Sequence, residues 1–212
     1  MRKVTSTVYY FNELPTEAAK EKAREWWRKF LFNDSCDYEF IYEDIAVIGE
    51  ALGIDLRSRQ VKLMNGKYRW EPCIYWSGFW SQGDGACFEG SYDYKKNWRK
   101  DFPAPQEETL IAIGKVLQDV QSKYFYKLTA HVKHSGHYYH EMSTNIEVEY
   151  SGDDYRRVDE DDADTIRKCL RDFMRWIYKS LEQEYDYQSS KEVVDETLII
   201  NQYEFDEEGN KV

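Results

Sequence analysis

The 212-residue sequence has little that is long and apolar. No run approaches the roughly 18 apolar residues of a membrane helix, and the mean hydropathy is −0.81. Met1-Arg2-Lys3 leads into Val4-Thr5-Ser6-Thr7-Val8, which lacks a secretory leader's apolar stretch and small-residue cleavage site. The expectation is a cytosolic protein. Cysteine is sparse: Cys36, Cys73, Cys87 and Cys169 form no CxxC pair, which excludes a zinc ribbon or a thioredoxin-like site. Four reduced, mostly buried thiols are expected. Only four prolines and eleven glycines occur, with no internal repeat and no long linker. There is no Walker loop and no GxGxxG.

Aromatic residues are abundant, at 17% with 18 Tyr, 10 Phe and 7 Trp. Disordered chains are poor in them, and each covers a large area when buried, so a sizeable core is expected. The net charge of −11 is uneven. Residues 149–212 carry 19 acidic and 9 basic groups, net −10; residues 1–148 carry 21 and 20, net −1. A nearly neutral body with an acidic C-terminal third argues against direct nucleic-acid binding, which needs a basic face. It suits a basic protein partner or polyanion mimicry, or simply a solvated acidic helical face.

Periodicity outlines the elements. Val4 to Phe11 reads as a strand. Thr16 caps a helix running to about Phe32, with Ala19, Ala23, Trp26, Trp27 and Phe30 as its apolar stripe. After the breaker Asn33-Asp34-Ser35, Asp37 to Leu52 is a second helix with Phe40, Ile41, Ile45, Ile48 and Leu52 on one side, and Gly53 ends it in the left-handed region. Ile54 to Met64 is extended, Asn65-Gly66 is a hairpin turn, and Lys67 to Trp80 is mostly strand. Ser81 to Gly85 is a tight loop before a strand from Ala86 to Tyr94. Asp101 to Pro105 is a loop, and Glu107 to Lys123 is a helix with Leu110, Ile113, Leu117 and Val120 at helical spacing. Tyr124 to His134 and His137 to Tyr150 form a hairpin about Ser135-Gly136. Asp159 to Tyr187 is a long helix whose buried face is Ala163, Ile166, Leu170, Phe173, Ile177 and Leu181, and Lys191 to Tyr203 a last one capped by Ser189-Ser190. Asp206 to Val212 is expected to fray. This order implies a single α+β domain over residues 1–212. Helices pack on one face of a largely antiparallel sheet, and residues 151–205 form an acidic helical third.

Two segments can carry chemistry. All four histidines, His131, His134, His137 and His140, fall within ten positions. A two-residue turn at Ser135-Gly136 would pair His134 with His137 and His131 with His140. His131 and His140 would then share a face with Lys133 and Tyr138, while Tyr139 and Glu141 lie on the other. Such pairs suit a metal, a phosphate or a proton shuttle, or a plain polar hairpin tip. The second segment runs from Tyr75 to Phe88. Trp76, Phe79, Trp80 and Phe88 offer stacking faces; Ser77, Ser81, Gln82 and Asp84 offer donors and acceptors; three glycines let the backbone approach a ligand. Its alternative is an aromatic hairpin with a Gly/Asp turn. Cys87 matches no thiol-enzyme signature. Asp153-Asp154 and the carboxylates from Asp159 to Asp162 suit a helix N-terminus better than Mg2+.

Three stretches resemble a known group: Glu13-Leu14-Pro15-Thr16-Glu17-Ala18-Ala19-Lys20 with its Trp-rich helix, Ser77 to Gly90, and His134 to Glu141. Together they resemble uncharacterised phage and prophage proteins often labelled "antitoxin of toxin-antitoxin stability system". That resemblance implies a phage accessory protein of the host cytoplasm that blunts host defence. It carries over no catalytic residues. The function expected from it is sequestration of a small nucleotide-like immune signal by the 76–88 loop and the histidine hairpin, with Lys133 adding charge. Two alternatives stand beside it: an acidic inhibitor of a host defence protein (anti-CRISPR, anti-restriction or antitoxin), and a histidine- or metal-dependent hydrolase of nucleotide signals. No cofactor is implied, no membrane contact is expected, and self-association is left open.

Overall fold

The computed structural model describes residues 7–31, 38–63, 66–103, 107–154 and 156–212. In chain order, β1 is Tyr9–Tyr10, and a 3-10 turn at Phe11–Glu13 leads to α1, Glu17–Phe30. Helix α2 is Glu39–Leu52. Six short strands follow: β2 Ile54–Leu56, β3 Ser58–Lys62, β4 Tyr68–Pro72, β5 Ile74–Ser77, β6 Gly85–Phe88 and β7 Gly90–Asp93. Then come α3 Trp98–Asp101, α4 Glu108–Lys123, β8 Leu128–His134, β9 Thr144–Tyr150, α5 Glu160–Ser189, α6 Lys191–Ile200 and β10 Glu204–Phe205. The fold is α+β, with antiparallel sheets and long C-terminal helices.

Where the sequence reads as one domain, the chain divides into two compact units: residues 1–38 with 182–212, and residues 39–181. The boundary falls inside α5.

In the terminal unit, β1 pairs antiparallel with β10. Phe11, Ala23, Trp27, Val194, Leu198 and Phe205 form its core, with Trp26 and Tyr203 packed against it. Thr16 caps α1 as expected, its Oγ1 accepting from Ala19 N at 3.1 Å. Phe30 is 39% exposed and so sits at the margin of the expected stripe. Arg24 is buried within this unit, at 1% exposure. Its Nε donates to Asp195 Oδ1 at 2.5 Å and its Nη1 to Glu17 at 2.6 Å and Glu21 at 3.0 Å. Apolar neighbours cannot solvate a buried guanidinium, but three carboxylates can. The expected frayed tail is ordered instead. Asp206 Oδ1 accepts from Glu208 N at 3.0 Å and Asn210 N at 2.8 Å, and Phe205 bridges to Lys211. Of the expected N-terminal strand only Tyr9–Tyr10 is strand, and Val4 to Ser6 lie outside the described residues. Phe32, the breaker Asn33 to Ser35, Cys36, Asp37, Asn65 and Pro105 lie outside them too.

The second unit is built on a four-stranded antiparallel sheet in the order β2-β7-β8-β9. Helices cover one face. Leu128, Ala130 and Val132 of β8 are buried there, and Gln121 of α4 caps the start of that strand with bonds to Leu128 N at 3.1 Å and Leu128 O at 2.7 Å. The expected apolar stripe of α5, from Ala163 through Ile166, Leu170, Phe173 and Ile177 to Leu181, is buried. Phe40 of α2 is 75% exposed, contrary to expectation; Ile45, Gly49 and Leu52 carry that helix's buried face. Gly53 ends α2 at φ +82 as expected.

Two further ribbons, β3–β4 and β5–β6, leave the same sheet. They meet it at three residues. Arg57 N donates to Glu89 O at 2.9 Å, Glu89 N to Cys73 O at 3.0 Å, and Cys73 N to Arg57 O at 2.6 Å. This closed triangle of backbone bonds satisfies every polar group where three strand pairs exchange partners. The next residue, Gly90, must be glycine: a Cβ there would stand 2.0 Å from Asp55 O.

Asp195 generates a test. Burial alone would raise its carboxyl, but hydrogen bonds from Arg24 and Lys191 hold it below the ordinary carboxylate range. A depressed folded pKa gives stability that is fully present above about pH 4 and lost as pH falls through the lower folded value. Thermal melts should therefore show wild type losing its advantage over Asp195→Asn as pH drops below about 4. Arg24→Met, which strands carboxylates of which Asp195 is the most enclosed, should cost about 2 kcal/mol at pH 7 in urea denaturation.

Candidate functional site

The histidines do not pair as expected. Strand β8 pairs with β9 from Thr144 onward, so His134 faces Thr144 and His131 faces Glu147. Residues 135–143 form a long connection rather than a two-residue turn. The core decides this register: it sets Val132 against Ile146 and Ala130 against Val148, keeping β9's apolar residues on the helix-covered face. Inside the connection His140 Nδ1 accepts from Met142 N at 3.2 Å and caps a 3-10 turn at Glu141–Ser143. Glu141 is buried, accepts from Arg175 Nε at 2.8 Å, and holds its other oxygen 3.0 Å from His140 Nδ1. Arg175 also bonds Asp172. This anchored carboxylate draws the connection onto α5.

The 76–88 loop and the histidine segment do converge. Gly85 packs so closely on His140 that a Cβ would lie 2.7 Å from its Cδ2. Tyr75, His134 and Tyr139 form a ring cluster with centroids 5.3 to 5.6 Å apart. The Arg59 guanidinium sits 5.0 Å from the Tyr75 centroid. His134 Nε2 donates to Tyr138 O at 3.1 Å, so that nitrogen carries the proton. His137 and Tyr138 project into solvent, Tyr138 at 73% exposure.

Several loop residues expected to meet a ligand instead build the loop. Asp84 Oδ2 accepts from Trp80 N at 3.0 Å and Ser81 N at 2.7 Å, and Ser81 O accepts from Asp84 N. Trp76 stacks on Phe79 at 4.9 Å and donates to Tyr42 Oη at 3.1 Å. Phe79 is buried against Tyr178, whose hydroxyl bonds Gly78 O. Ser77 pairs with Gly85 in the ladder. Gln82 and Trp80 are exposed, with Trp80 edge-on to Phe79.

His131 and Lys133 point to the exposed face of the sheet, opposite Ala130 and Val132. One row crosses all four strands there: Asp55, Ser91, His131 and Glu147. Beside it an open cleft of about 490 Å³ is lined by Asp55, Arg57, Glu89, Ser91, His131 and Lys133. Arg57 bonds Glu89 at 3.1 Å, which leaves Lys133 and His131 as the cleft's unengaged basic side chains among the described residues. Arg57, Arg59, Tyr75 and Tyr139 were not singled out from sequence as ligand contacts. Arg57 reaches the cleft through the strand junction, and Arg59, Tyr75 and Tyr139 gather outside it by long-range strand packing. A cavity of about 580 Å³ lies elsewhere, between α4 and α5, and holds none of the expected site residues. Among the described residues no three His, Cys, Asp or Glu side chains gather as a metal site. Asp162, one of the acids weighed for Mg2+, instead accepts from Lys123 Nζ at 2.6 Å and Tyr124 Oη at 2.9 Å.

The sequence model of one protein family, a domain of unknown function (DUF8835), matches residues 38–191. The chain belongs to this family. The DUF8835 match takes in every candidate site residue from Arg57 to Arg175, and it leaves α1, β1 and β10 outside. No curated protein and no solved structure matches the chain.

In this DUF8835 domain Cys73, Cys87 and Cys169 are free and buried. Burial pushes the Cys87 thiol up to about 12 and the Cys169 thiol up to about 11. Neither supplies a thiolate near neutral pH. Iodoacetamide at pH 8 should leave both unmodified in the native protein and label both after urea unfolding, read by peptide mass mapping. Labelling of native Cys87 would contradict this assignment.

Proposed function

We propose that this protein binds and sequesters a small nucleotide-like anion at the exposed face of its central sheet. The observation that carries the reading is the cleft beside the strand junction. It brings Lys133, His131 and the Ser91 hydroxyl to one open surface. Cationic and hydroxyl donors suit phosphate oxygens, and the exposed ring of Tyr139, outside the cleft lining, offers a stacking face for a base. Asp55 and Glu89 in the same cleft oppose a dense polyanion and favour a ligand with few phosphates. Trp80 and His137 stand exposed. The setting, phage counter-defence in the host cytoplasm, rests on the resemblance of the three motifs alone. No reaction step is proposed.

An inhibitor acting through its acidic C-terminal third is less well supported. Asp162, Asp164, Asp172 and Asp195 each bond a lysine or arginine of this same chain. Carboxylates engaged in this way serve the fold and offer less to a basic partner.

Isothermal titration at low salt with AMP and cyclic di-AMP tests the reading. Wild type should bind at least one of the two, and Lys133→Ala should weaken that binding about tenfold, the worth of one charge-assisted contact. Heat absent for both probes, or equal affinity in Lys133→Ala, would remove the cleft from consideration.

A further inference from the structure

The β3–β4 ribbon has a charge pattern unlike the rest of the chain. Residues 57–70 hold five cations, Arg57, Arg59, Lys62, Lys67 and Arg69, and no carboxylate, in a sequence with 40 acidic residues. The ladder pairs Lys62 with Tyr68, Gln60 with Trp70 and Ser58 with Pro72. Alternation puts these pairs on one face and Val61, Arg69, Arg59 and Glu71 on the other. The second face is engaged: Arg69 reaches Glu39 of α2 at 2.7 Å and bonds Glu71 as well. The first face is open, with Tyr68 64% and Trp70 66% exposed and with Gln60 and Lys62 exposed beside them.

An exposed Trp and Tyr side by side are costly in water, and a two-stranded ribbon has no core to explain them. Their spacing has a use. Residues two apart on a strand stand about 6.6 Å from each other, close to twice the roughly 3.4 Å separation of stacked bases. The two rings can hold one base between them or carry two neighbouring bases. Gln60, opposite Trp70, offers both a donor and an acceptor to a base edge. Lys62, opposite Tyr68, has no ion-pair partner among the described residues and offers its charge to a phosphate.

We propose that the β3–β4 ribbon docks single-stranded nucleic acid, with bases stacked on Tyr68 and Trp70, Gln60 on a base edge and Lys62 on the backbone. The net charge of −11 argues against nucleic acid for the chain as a whole, but a whole-chain sum averages this ribbon away. The acidic surroundings confine the strand to the ribbon and make its binding weak and steeply salt-dependent. Gln60, Lys62, Tyr68 and Trp70 lie outside the small-ligand cleft, so this inference does not rest on the previous reading.

The test is fluorescence anisotropy of labelled oligo(dT) of about 12 nucleotides, against a duplex of equal length, at about 20 mM and about 200 mM salt. The single strand should bind at low salt, quench tryptophan fluorescence, and exceed the duplex in affinity. Trp70→Ala and Tyr68→Ala should each weaken binding about tenfold, and Lys62→Gln should lower the salt slope by about one phosphate contact. All three side chains are exposed, so unchanged melting temperatures will show that the variants fold. No anisotropy change at low salt, equal affinity for duplex, or wild-type affinity in Trp70→Ala would each overturn the proposal. Self-association lost in Trp70→Ala, with no oligonucleotide bound, would overturn it in favour of contact between copies of this chain.

Discussion

The open cleft and the two ribbons of the second unit depend on the triangle of backbone bonds among Arg57, Cys73 and Glu89. Strands ordinarily keep one partner along their length, because an abrupt change strands N–H and C=O groups without acceptors or donors. Here three changes of partner occur at one level, and each orphaned group finds its mate on the third chain segment. The result is a sheet that divides into two ribbons without an unsatisfied step. Gly90 makes room for the close approach to Asp55, and the Arg57–Glu89 ion pair spans the same junction in side chains.

The junction explains why polar and aromatic residues far apart in sequence share a neighbourhood. The β5–β6 ribbon carries Tyr75 and Gly85 to the 135–143 connection, where buried Glu141, held by Arg175, fixes His140 beside them. The β3–β4 ribbon brings Arg59 over Tyr75 from another direction. Meanwhile the central sheet turns His131 and Lys133 away from the helices. The two groups of histidines thus have different roles. His134 and His140 are packed and hydrogen-bonded within the connection, whereas His131 lines an open cleft.

Charge is distributed on a finer scale than the sequence halves suggest. Part of the acidic C-terminal third is engaged internally, at Arg24, Lys123, Arg167 and Arg175. These partners place negative charge where arginines or helix starts need it, so the excess is partly structural. Conversely the near-neutral first part of the chain hides a cationic stretch, residues 57–70, with no carboxylate. A net charge counted over a hundred residues reports solubility well and local recognition poorly.

Local periodicity was enough for the long helices, though it missed the short α3 and misplaced Phe40 of α2. The α4 and α5 stripes, the Thr16 and Ser190 caps and the Gly53 terminator all depend on neighbours within a few residues, and all are where the pattern puts them. The α+β class followed from the same signals. The site was legible only as ingredients: the two segments do meet, but through Gly85 on His140 and Tyr75 on His134 and Tyr139, while His131 lines a separate cleft. Strand register failed at β8–β9 because Ser135-Gly136 looks like a tight turn locally. The winning alignment is set instead by core packing and by Glu141 reaching Arg175 across a separation of 34 residues. The three-way exchange at Arg57, Cys73 and Glu89 leaves no local trace, since each residue is an ordinary strand residue to its neighbours. Partner choice in a sheet is a long-range backbone property, and only the folded chain decides it.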